Sequence, residues 1–119
     1  MINIPQRDTI AIIEIVSSED GRTYKKRPAY VLKTNGIMLQ CFSITSKFET
    51  KAKDLQRACF SINDWQYAGL NKPSWINTSQ IHSLSVEKVM TRFIGILSEQ
   101  DTLRFREFLL RKEVSVQAE

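Results

Sequence analysis

Apolar positions along this chain fall into short runs separated by turn-forming residues. That pattern predicts strands rather than long helices. Thr9–Val16 reads TIAIIEIV, rich in β-branched residues and too brief for a typical helix. The stretch 17–26, SSEDGRTYKK, is polar and holds a glycine, as a loop does. Pro28 biases Arg27 toward extended backbone and fits the first position of a strand over Ala29–Lys33. Thr34-Asn35-Gly36-Ile37 then carries Asn-Gly between two apolar runs. This predicts a type I′ hairpin pairing Ala29–Lys33 with Ile37–Thr45. Lys47–Arg57 reads as a polar stretch, and Ala58–Ile62 as a short strand. Residues 63–70, NDWQYAGL, suggest a helical turn capped by Asn63 or Asp64 and ended by Lys72-Pro73. Further short strands are expected at Ser74–Thr78, Ile81–Leu84 and Arg92–Ile96.

One segment has a helical period. Ser98–Lys112 places Leu103, Phe105, Phe108, Leu109 and Leu110 on a broad apolar face, with Arg104, Arg106, Glu107 and Arg111 turned mostly to solvent. Ser98 followed by Asp101 resembles a capping box built with the shorter acid. Many short strands plus one terminal helix indicate a mainly β small barrel. We expect residues 1–112 to form one domain and 113–119 a flexible C-terminal tail.

At 119 residues the chain suits one modest core, and its 42% hydrophobic and 25% charged residues are ordinary globular values. Seventeen Lys+Arg against 13 Asp+Glu leave a formal net charge of +4, which suits a polyanionic partner. Cys41 and Cys59 lie within apolar runs and read as small buried hydrophobes. Without CxxC spacing, and with His82 the one histidine, no metal site or other cofactor is expected. No signal-like or membrane-spanning run opens the chain, so a cytoplasmic protein with no membrane partner is expected. GxSxG, HExxH, P-loop and GxGxxG motifs are absent. Any chemistry must rest on arginine, hydroxyl, carboxylate or amide groups.

Four ordered motifs resemble the MazF/PemK endoribonucleases of type II toxin–antitoxin systems. They are the N-terminal strand with its polar loop, Arg27-Pro28-Ala29-Tyr30-Val31-Leu32, Ile44-Thr45-Ser46, and Ser79-Gln80-Ile81-His82-Ser83-Leu84. The resemblance spans roughly Thr9 to Leu110 and implies an SH3-like barrel. It also implies a homodimer, a cognate antitoxin, and sequence-specific, metal-independent cleavage of single-stranded RNA. In that reaction the ribose 2′-OH attacks the adjacent phosphate, leaving a 2′,3′-cyclic phosphate and a 5′-OH end. The resemblance makes Arg27 the main catalytic residue and Thr45 its partner.

Guanidinium forks onto phosphate and stays charged, and a threonine hydroxyl can donate to the same group. RNA contacts are expected from Ser46, from Lys47, Phe48, Lys51 and Lys53 in the loop after Thr45, and from Gln80 and His82. By residue type alone, Arg27 is also readable as a solvated strand-start arginine, Gln80 as a partner for buried backbone, and His82 as a surface polar group. Trp65, Tyr67 and Trp75 read as core or dimer contacts. One branch of the family uses an arginine and an aspartate as acid and base, where this chain has Asn77 and Ser79. The general base is thereby left open between Glu14 and Asp20, with Glu14 expected to point outward. The alternative function is a non-catalytic toxin-like barrel that binds RNA or, like the CcdB gyrase inhibitors, a protein target. The chain's end, Ser115-Val116-Gln117-Ala118-Glu119, lacks the apolar-aromatic cluster of that group.

Overall fold

The structure, a computed structural model, describes residues 11–18, 24–87 and 90–117. Six strands form one antiparallel sheet: β1 (Ala11–Ser18), β2 (Tyr24–Thr34), β3 (Met38–Thr45), β4 (Cys59–Ile62), β5 (Ser74–Ser85) and β6 (Met90–Ile96). The strand order is β4-β5-β3-β2-β1-β6. Two helices complete it, α1 (Lys53–Arg57) and α2 (Glu99–Gln117).

One core draws on both edges of the sheet, which gives the barrel its character. Ile12, Tyr30, Phe42, Ile44 and Ile76 from the inner strands meet Phe60 and Ile62 of β4, while Ile94 of β6 packs against the same cluster. Phe105 of α2 is buried at its centre, edge-on to Tyr30 with ring centroids 4.9 Å apart. Alternation sends the next residues to the opposite face, where Ile13, Ala29, Val31, Leu39, Cys41 and Val86 form a second cluster.

The segment 63–70 bridges the gap between β4 and β6. Gly69 takes φ +88° against Ile94, and a Cβ on Gly95 would run into the Ala68 carbonyl, so both positions need glycine. This segment makes a helical turn, Ala68 N–H donating to the Asp64 carbonyl, but neither Asn63 nor Asp64 caps it. Its first amides donate to Asp101 of α2 instead, Asn63 N at 3.3 Å and Asp64 N at 2.8 Å. Half of the expected capping box is therefore present. Asp101 N–H donates to Ser98 Oγ at 3.1 Å, but the Asp101 carboxylate reaches across to the neighbouring segment. Ser98 Oγ in turn donates to Asp64 Oδ2 at 2.6 Å.

Several boundaries differ from the pattern-based expectation. β2 begins at Tyr24, so Pro28 sits inside a strand rather than at its start. Proline is accommodated because the β2–β3 ladder ends at Ala29–Ser43, leaving Pro28 paired on one side only, with Glu14. The hairpin is not type I′: only Gly36 has positive φ, and Asn35 Oδ1 accepts from the amides of Ile37 and Met38 across a three-residue loop. The two strands expected over residues 74–84 are one, β5, with a register shift opposite β3 between Cys41 and Ser43. Helix α1 arises within the polar stretch Lys47–Arg57, and α2 runs past Lys112 to Gln117. Phe105 is buried and Phe108 and Leu109 half-buried as expected, but Leu103 and Leu110 are exposed, because the helix buries a narrower stripe. Cys41 and Cys59 are both buried, and burial pushes the Cys41 thiol up to about 11.

Candidate active site

The sheet forks where β2 and β3 part. Beyond the last ladder pair, Ala29 with Ser43, the strands separate, and Arg27 and Thr45 each lie two residues past it. Alternation puts both on the sheet face of Ala29 and Ser43. Lys26 and Pro28 take the opposite, barrel-facing side with Tyr30. β1 contributes Glu14, opposite Pro28, and β6 contributes Arg92, opposite Glu14. Residues 69–72 form the remaining wall, pinned by Ser74 Oγ donating to the Lys72 carbonyl at 2.8 Å.

These elements enclose an open cleft of about 560 Å³. Its lining includes Glu14, Lys26, Arg27, Thr45, Ser46, Lys47, Lys72 and Arg92. Among the described residues, five cationic side chains share the cleft with a single carboxylate. Such a concave cationic surface concentrates polyanions. Thr45 Oγ1 accepts from Lys47 N–H at 3.0 Å, which fixes the hydroxyl at the strand end while its proton can still be donated to a ligand. Glu14 sits deepest of the charged pair, its side chain 21% exposed, and Arg92 meets it at 3.5 Å with 73% exposure.

Beside the cleft lies an aromatic surface. Trp75 of β5 pairs in register with Thr45, so the two side chains share a face. Phe48 stacks on Trp75, ring centroids 4.9 Å apart and planes 13° from parallel. The loop carrying Phe48 is held by Lys51 N–H and Gln56 Nε2, which both donate to the Phe48 carbonyl at 3.1 Å. This face thus sets the Thr45 hydroxyl beside a pair of stacked rings.

Of the residues singled out in sequence, the fold gathers Arg27, Thr45, Ser46 and Lys47 in the cleft and sets Phe48 next to it. Lys51, Lys53, Gln80 and His82 are not among the cleft-lining residues. Lys53 opens α1, Gln80 lies in the irregular part of β5, and His82 pairs with Cys41 further along that strand. Asp20 lies outside the described residues.

The expectation that Glu14 points outward is overturned. Glu14 shares the face of Ile12, which is buried in the barrel core, and at the strand end that face opens into the cleft. The alternation TIAIIEIV carried this signal. Lys26, Lys72 and Arg92 were not singled out: Arg92 becomes a neighbour of Glu14 only through the β1–β6 register, and Lys72 only through the fold of residues 63–72. Trp65 packs against the core, Tyr67 is exposed, and Trp75 serves the Phe48 stack.

No family model and no curated protein matches the chain in sequence. Among solved structures, it is similar to the Mycobacterium tuberculosis toxin MazF-mt6. The two are 19% identical, the match covers 81% of this chain and 89% of that one, and the TM-score is 0.57. The chain therefore has a MazF-like fold: a mostly β architecture with a six-stranded antiparallel sheet and a C-terminal helix. No helix among the described residues is long and apolar enough to cross a membrane.

Proposed function

We propose that the protein is a sequence-specific, metal-independent endoribonuclease toxin acting on single-stranded RNA in the cytoplasm. The observation that carries this reading is that Arg27 and Thr45, each two residues past the last β2–β3 pair, line one cleft whose described residues include five cations. A phosphodiester seated there receives the guanidinium fork of Arg27 and the hydroxyl of Thr45. Both act where charge builds on the non-bridging oxygens as the 2′-OH attacks. Lys26, Lys47 and Lys72 draw in the flanking phosphates, and a splayed base adjacent to the scissile phosphate stacks on the Phe48–Trp75 surface.

The MazF-like fold supports two further parts of the reading. The toxin pairs with a second copy of itself, and a small antitoxin neutralises it by covering the cationic cleft with acidic residues. Products are a 2′,3′-cyclic phosphate and a 5′-OH end.

The test is end-mapping of a long, structure-poor RNA incubated with the protein in EDTA, alongside Arg27→Ala. Cuts at one repeated short sequence with 5′-OH ends, absent in the variant, are expected. RNA that stays intact while binding tightly would make the protein a binding module and Arg27 a phosphate contact.

A further inference from the structure

Resting on that endoribonuclease reading, we propose that Glu14 is the general base that removes the 2′-OH proton. Transesterification needs an acceptor for this proton, and Arg27 cannot supply one, since a guanidinium stays protonated at working pH. Thr45 is placed as a donor. Among the described residues lining the cleft, Glu14 is the one carboxylate, beside no histidine or cysteine.

Its placement suits the role. The strand backbone on both sides, paired with β2 at Pro28 and with β6 at Arg92, holds the Glu14 main chain rigid. The Glu14 carboxylate, its side chain 21% exposed, pairs with Arg92 at 3.5 Å. Arg92 is its one ion-pair partner among the described residues, which leaves acceptor capacity there, since an ionised carboxylate offers about four lone-pair sites. The charged groups that line the cleft with it are Arg92 from β6, Lys26 and Arg27 from β2, Lys47 after β3, and Lys72 before β5, with Arg27 reaching the cleft from the opposite face of the sheet. An anionic substrate is drawn to these cations, so one carboxylate can remain beside a phosphate.

A carboxylate oxygen of Glu14 takes the 2′-OH proton, and the 2′-oxygen forms a bond to phosphorus. The bond from phosphorus to the 5′-oxygen breaks, its electron pair stays on that oxygen, and water entering the open cleft protonates it. The hydroxide left behind recovers the proton from Glu14, which restores the enzyme.

The experiment compares wild type with Glu14→Gln in single-turnover cleavage of one RNA across pH, in EDTA. Binding is measured in parallel with the same RNA carrying a 2′-O-methyl group at the scissile ribose. Glutamine keeps the shape and cannot accept the proton, so the rate falls about 10²- to 10⁴-fold. The acidic limb of the wild-type pH profile disappears, while affinity for the methylated RNA is kept or tightened. Cleavage by Glu14→Gln at wild-type rate with an unchanged profile would overturn Glu14 as base and leave the nuclease reading standing. No cleavage by wild type itself would overturn both. Should Glu14→Gln fail to fold, Glu14→Asp decides: a lowered rate with the acidic limb retained supports the assignment, and an unaltered rate overturns it.

Discussion

Two carboxylates in this protein each meet an arginine, and they differ in what else surrounds them. Asp101 is 1% exposed, receives Arg104 Nη1 at 2.6 Å, and also accepts from the amides of Asn63 and Asp64. It joins α2 to the segment that closes the barrel, and its lone pairs are engaged on several sides. Glu14 sits at the open end of the same barrel, with Arg92 at 3.5 Å its ion-pair partner among the described residues. A carboxylate saturated with donors is structural cement, because each bond it makes stabilises one arrangement of the chain. One held by a single long contact at a cleft wall keeps capacity for a substrate. Under the proposed function, the closed seam serves stability and the open mouth serves chemistry.

Substitutions at the mouth should change chemistry and leave folding alone. Arg27→Ala is expected to slow cleavage by about 10²- to 10³-fold, the effect of removing one preorganised donor, with no shift in the melting curve. A variant that cleaves normally, or one that melts early, would erase the division. Asp101→Ala at the seam should do the reverse. It strips the partner from two backbone amides and a guanidinium, and should lower the unfolding free energy by about 2 to 4 kcal/mol in denaturant titration. Cleavage per folded molecule should stay at the wild-type level; a loss of rate without a loss of stability would place the seam in the mechanism.

Phe48→Ala sharpens the mouth side of the contrast. Removing one ring of the stack should weaken binding of single-stranded RNA by about 1 to 3 kcal/mol. Unaltered affinity would mean that the rings only pack against each other.

The smallest effect concerns the buried face of the sheet. Cys41 is raised by burial from 9.0 to about 11, and Tyr30 by burial from 10.0 to about 12, with Arg106 pulling Tyr30 part of the way back. In each case the unfolded chain ionises first. The stabilising contribution of Cys41 is complete below pH 9 and is lost as pH climbs to 11, on the order of 2 kcal/mol. In Cys41→Ala this part of the alkaline slope should vanish in stability measurements between pH 8 and 11. An identical slope would assign the alkaline limit elsewhere.

The candidate site was partly legible in the chain. Arg27 and Thr45 each stand at the end of a β-patterned run, and the Asn-Gly hairpin between the runs makes antiparallel neighbours of them. Glu14 was legible through period-2 alternation with Ile12, although its position in an apolar run suggests solvent as the natural side for a charge. Gln80 and His82 could not be placed, since the register shift in β5 changes which way each residue faces and leaves no mark in composition.

Taken alone, the sequence determined the fold class, the strand-rich order of elements, the capped terminal helix, the burial of both cysteines and the basic character of the surface. These follow from local periodicity and side-chain chemistry, which act over a few residues. Tertiary structure alone decided that Arg92 would meet Glu14, that Lys72 would join the cleft, that Phe48 would stack on Trp75, and that Asp101 would reach the amides of Asn63 and Asp64. Each of these contacts depends on strand register or on how the barrel closes, and both are set by packing the whole core at once rather than by any one segment.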